Sequence, residues 1–64
     1  MLALEIENKL NELKNCHFVN VYLINGVILS CPPENIINYH TQECLDMLNR
    51  PVKYADISYI DSFY

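Results

Sequence analysis

The chain has 64 residues, 52% of them hydrophobic, and a net charge of −4 from eight acids against four bases. So short a chain makes one domain, residues 1–64, burying only about 60% of its unfolded surface, and tight packing or a second copy must complete its core. Lys9, Lys14, Arg50 and Lys53 are too few and too scattered to build a phosphate-binding patch on one protomer, although a symmetric ring would multiply them.

Residues 2–15 are predicted to form an amphipathic helix. Leu2, Ala3, Ile6, Leu10, Leu13 and Cys16 fall on one side at helical spacing, with Leu4 opposite. Glu5 precedes Lys9 by one turn, the favourable order for an ion pair.

Residues 17–31 are predicted as a β-hairpin about Asn25-Gly26. Two apolar, β-branched runs within Val19–Leu29 flank that pair, which suits a type I′ turn because both central residues need positive φ. Gly26 is the only glycine, so this turn fixes the register of the sheet. His17, Val19, Val21 and Leu23 face one way; Phe18, Asn20, Tyr22 and Ile24 face the other. Both faces are largely apolar, which predicts a strand buried on one side and covered on the other by a helix or a neighbour. Pro32-Pro33 ends the returning strand, since proline donates no ladder hydrogen bond.

The middle, residues 34–50, admits two readings. As a helix it has Pro33 at its first position, Glu34 in its first turn and Pro51 as its stop. Ile36, Ile37, His40, Cys44, Met47 and Leu48 would then share one face, and this local pattern is the stronger. As strand, Asn35–Thr41 continues a meander. Residues 52–63 read as short strands around a tighter Ala55-Asp56-Ile57 step.

Little here points to catalysis or metal. Cys16-His17 lacks the two-residue spacer of a zinc knuckle, and His40 and Cys44 do not complete a set, so neither metal nor other cofactor is expected. A Cys–His nucleophile would need an oriented third group and an oxyanion site that the sequence does not offer, so no enzyme is expected. Three cysteines without paired spacing imply reduced thiols and a cytoplasmic setting. No apolar run approaches the about 18 residues of a membrane span, so no membrane partner is expected.

Leu10-Asn11-Glu12-Leu13-Lys14 followed by Val19-Asn20-Val21-Tyr22-Leu23-Ile24-Asn25-Gly26-Val27-Ile28-Leu29 resembles the start of the bacterial Sm-like (Hfq) family. Val52–Ile60 stands where the second motif of that family would lie. The resemblance implies an α+β, mostly β fold: an N-terminal amphipathic helix followed by a small Sm-like, SH3-like antiparallel barrel. It also implies a homo-oligomeric ring closed by edge-strand pairing, which would hide surplus apolar surface. The alternative fold is an α-β-β-α-β two-layer domain with a helix at about 33–49.

By this resemblance Tyr22, Gly26 and Val27 match positions on the face that takes adenine-rich RNA, where an aromatic ring beside bare backbone suits base stacking. Asn38 and Tyr39 match an amide and a stacking aromatic for uridine-rich ends. The chain departs from the family at its Lys-His pair, replaced by Tyr54-Ala55 with Asp56 following; Lys53 lies one place earlier. Cys31 stands for a usual glycine, followed by two prolines the family lacks. The expected function is a non-enzymatic ring with weak single-stranded RNA binding through Tyr22, Gly26, Val27, Asn38, Tyr39, Lys53 and Tyr54. The alternative is a small acidic regulator or inhibitor that binds another protein.

Overall fold

The computed structural model describes residues 1–63; Tyr64, the last residue of the expected domain, lies outside them. One helix, α1 (Ala3–Glu12), precedes six strands: β1 (Phe18–Leu23), β2 (Ile28–Cys31), β3 (Ile36–Tyr39), β4 (Cys44–Met47), β5 (Arg50–Lys53) and β6 (Ile57–Phe63). Single 3-10 turns at Pro33–Asn35, His40–Gln42 and Tyr54–Asp56 lead into β3, β4 and β6. The strands form two three-stranded antiparallel sheets, ordered β2-β1-β6 and β3-β4-β5. The protein is thus a small α+β domain, mostly strand.

Both sheets and the helix contribute to one core. Ile6 and Leu13 come from the helical segment and its end, Val19 and Val21 from β1, Cys31 from β2, and Ile57 and Ile60 from β6. Leu45, Met47 and Val52 come from the second sheet, and Tyr54 from the turn before β6. Amphipathic α1 bridges the two sheets: Glu7 reaches His40, and Lys9 lies over the Tyr59 ring of β6. Met1 N donates to the carbonyls of Tyr54 and Ile57 at 3.0 and 2.9 Å, tying the start of the helix to the last 3-10 turn. Leu2 departs from the predicted apolar stripe. It sits at the N-cap, exposed, where its N–H donates to Glu5 Oε1 at 3.2 Å. Lys9 pairs with Glu12 at 3.7 Å, not with Glu5.

The hairpin stands where the sequence places it, but its turn is of another type. Asn25 keeps a negative φ and Gly26 alone is positive, at 90°. Gly26 N–H donates to Leu23 O at 3.0 Å and Leu23 N–H to Val27 O at 2.8 Å, the pattern of a type I turn followed by a left-handed bulge residue. Asn25 Oδ1 accepts from Val27 N–H at 3.0 Å, which favours this turn over the two-residue one.

No helix forms over 33–49, and the two-layer alternative fails with it. Pro33 opens a single 3-10 turn, after which β3 and β4 alternate: Leu45 and Met47 are buried while Ile37 and Tyr39 are exposed. Three left-handed residues, Glu43 (φ 52°), Leu48 (φ 53°) and Asn49 (φ 67°), interrupt any helical path. Leu48-Asn49 joins Met47 to its register partner Arg50, so the tight two-residue turn with two positive φ values lies here. Burial against the first sheet outweighs the helical spacing of the apolar residues. Pro51, read as a helix stop, lies in edge strand β5, where a missing donor is tolerated.

An irregularity in β6 sets its faces. Tyr22 pairs with Tyr59 but Leu23 with Ile57, so Ser58 is an extra residue. Ile57 and Ile60 are three apart and would face opposite ways in a regular strand; the bulge buries both.

Candidate functional site

The inward residues of β1 leave Asn20 and Tyr22 on the outer face of the first sheet, and pairing aligns them with partners on both sides. Tyr59, Tyr22 and Ile28 form one row across β6, β1 and β2. Asp61, Asn20 and Ser30 form the next. The first row is apolar and aromatic: the Tyr22 and Tyr59 rings lie 5.7 Å apart, tilted by 45°, and Tyr59 and Ile28 are each more than half exposed. The second is a hydrogen-bonded chain. Ser30 Oγ donates to Asn20 Oδ1 at 2.6 Å, and Asn20 Nδ2 donates to Asp61 Oδ1 at 3.0 Å.

Tyr22 joins the rows by donating its hydroxyl proton to Asp61 Oδ2 at 3.3 Å. Partial desolvation, then the Asp61 carboxylate, raise the Tyr22 pKa above its ordinary value, so the phenol stays a donor. Lys9 Nζ stands 6.0 Å from the Tyr59 ring centroid, within cation–π range. A cleft of about 420 Å³ between α1 and β6, lined in part by Lys9, Glu12, Ser58 and Tyr59, adjoins this face. The expected cover over the sheet is therefore limited to the edge where α1 passes.

The other residues named from the family resemblance are dispersed. Gly26 and Val27 are exposed at the hairpin tip. Asn38 and Tyr54 do come together: the Tyr54 hydroxyl donates to Asn38 Oδ1, and Asn38 Nδ2 lies 3.3 Å from His40 Nε2. Tyr54 is only 4% exposed, so its ring belongs to the core. Burial raises its pKa, the Asn38 hydrogen bond opposing. Tyr39 points away from Asn38 by strand alternation and is exposed, as is Lys53. Asn38 is thus engaged at both ends of its amide by residues of this chain.

Tyr59, Asp61 and Ser30 were not singled out from the sequence as binding residues. Their alternation along the strands is visible in the sequence, but the antiparallel register that lines them up with Tyr22 and Asn20 is set by pairing between distant strands. No group of three or more potential metal-ligating side chains occurs among the described residues, and none of their helices is long and apolar enough to cross a membrane. Cys16, Cys31 and Cys44 are free thiols. Comparison of the chain with protein-family models, curated proteins and solved structures finds no match.

Proposed function

We propose that this chain is a non-enzymatic, Sm-like protein that assembles into a homo-oligomeric ring and binds single-stranded RNA weakly. The observation that carries the RNA reading is the open sheet face on which Tyr22 and Tyr59 lie side by side. Neighbouring aromatic rings on a sheet form a stacking platform that accepts any base face. Ile28 extends it across β2, whereas Val27 beside Gly26 turns to the opposite face with Leu23 and Leu29, and the packed Tyr54–Asn38 pair contributes no stacking surface. Free thiols are in keeping with a cytoplasmic setting.

Strand order supports the scaffold. Joining β2 to β3 across Pro32, Pro33, Glu34 and Asn35 gives the sequence β6-β1-β2/β3-β4-β5, the order of a small bent barrel. β5 and β6 each keep an unpaired edge, and pairing β5 of one copy with β6 of the next would close a ring. A ring also brings Lys9, Arg50 and Lys53 into repeated arrays that concentrate positive charge locally, although each copy keeps its net charge of −4. Mass measurement by light scattering tests assembly, with a ring of several copies expected and a monomer or dimer refuting it. Titration with mixed-sequence single-stranded RNA at low salt tests binding. Saturable binding that weakens with salt is expected; its absence removes RNA from the reading.

A second reading is an acidic module that binds another protein. Exposed Leu2, Leu4, Ile24 and Leu48 together with the net charge favour it. A stable monomer lacking RNA affinity is the outcome that selects it.

A further inference from the structure

We propose that the outer face of the β2-β1-β6 sheet selects guanine, with Tyr22 and Tyr59 stacking the base and Asp61 reading its edge. The inference rests on the RNA reading above and names the base which that site prefers. Asp61 and Asn20 occupy the row next to the two tyrosines, about 7 Å away along the strands. A purine lying on the rings therefore turns one edge toward the Asp61 carboxylate.

That carboxylate is held in place from within the sheet. Asn20 Nδ2 and the Tyr22 hydroxyl each donate to one of its oxygens. A carboxylate carries about four acceptor sites, so both oxygens keep capacity for a ligand. Ser30 fixes the Asn20 amide by donating to its oxygen, leaving Asn20 nitrogen to face Asp61. The row therefore presents acceptors whose orientation is set before any ligand arrives.

Only guanine matches them with two adjacent donors, its N1–H and its 2-amino group. Adenine and cytosine each place an acceptor ring nitrogen beside their single amine, which the carboxylate repels. Uracil N3–H is flanked by two carbonyl oxygens, repelled likewise. Lys9, beside the Tyr59 ring and paired with Glu12 at 3.7 Å, brings a cation near the platform that would exchange this exposed carboxylate for the phosphate of a bound nucleotide. The same carboxylate would repel phosphate lying directly over it, which confines the backbone to the Lys9 side.

The test is titration of the full-length protein with GMP, IMP, AMP, CMP and UMP, followed by tyrosine fluorescence and backbone amide shifts. GMP is expected to bind roughly tenfold or more tightly than AMP, CMP or UMP, the discrimination typical of a bidentate contact. IMP, which keeps N1–H and lacks the 2-amino group, should fall between. Shifts should centre on Asn20, Tyr22, Tyr59 and Asp61. Asp61→Asn should bring GMP down to the level of the other nucleotides without abolishing their common binding. Equal affinity for all five nucleotides overturns guanine selection while leaving stacking intact. GMP shifts centred elsewhere, or no GMP binding where mixed RNA still binds, overturn this site. Absence of both nucleotide and RNA binding overturns the RNA reading as well.

Discussion

Tyr54 donates its hydroxyl proton to Asn38 Oδ1 while its ring packs in the core, linking the 3-10 turn after β5 to strand β3 over the intervening β4. The pair acts as a buried strut. Tyr54→Phe should cost about 1 kcal/mol through the lost hydrogen bond, whereas Tyr54→Ala should cost about 3–5 kcal/mol through the added cavity. Urea unfolding measures both, and equal costs for the two variants would contradict the division between ring and hydroxyl.

Leu48 holds a left-handed backbone at the β4–β5 turn with its side chain more than half exposed. The conformation disfavours a branched aliphatic residue and suits asparagine. Leu48→Asn should therefore stabilise the fold by about 1 kcal/mol. The unfolding midpoint should rise with an unchanged denaturant slope. A fall in the midpoint would mean that Leu48 makes a stabilising contact.

At Gly26 the expected sign is opposite. A Cβ there meets nothing within 4 Å, but φ is +90°. Gly26→Ala should lose about 1–2 kcal/mol from the backbone alone. Circular dichroism should show the same native sheet with an earlier thermal transition; an unchanged transition would rule out strain at this turn.

Ile6 has no exposed surface, whereas Leu4 on the opposite side of α1 is 68% exposed. Ile6→Ala should destabilise by about 2–5 kcal/mol, and Leu4→Ala by no more than about 0.5 kcal/mol. Parallel thermal melts decide this, and a large loss at Leu4 would show that a partner copy covers it.

Tyr22, Tyr54 and Cys31 all have raised pKa values, in each case chiefly because burial disfavours the anion. Their protonated forms are favoured in the folded state, so this contribution is fully present below the ordinary, unfolded-state values. It is lost as pH rises through the higher folded-state values. Stability should decline in the alkaline range, and Tyr22→Phe should make that decline shallower. Denaturation midpoints taken from neutral to about pH 11 test the sign; a midpoint that rises with pH refutes it.

The hairpin was legible because Asn25-Gly26 breaks two strongly β-forming runs, and the helix because Ile6, Leu10 and Leu13 recur at helical spacing. Those are local signals, carried by residues a few positions apart. The middle admits two readings for the same reason: Ile36, His40, Cys44 and Met47 satisfy a helical spacing locally, yet burial of Leu45, Met47 and Val52 against the other sheet selects the strand reading. Leu48 gave no turn signal, because leucine is an unusual occupant of a left-handed turn position.

The candidate site divides along the same line. Tyr22 could be named only through the family resemblance, and its neighbours Tyr59 and Asp61 lie nearly forty residues away in sequence. They reach it only through the antiparallel pairing of β1 with β6. Local sequence sets where a turn or helix can form, since that depends on backbone preference and spacing. Which side chains share a face, and whether Tyr54 is a platform or a core residue, depends on long-range register and burial, which only the assembled sheets supply.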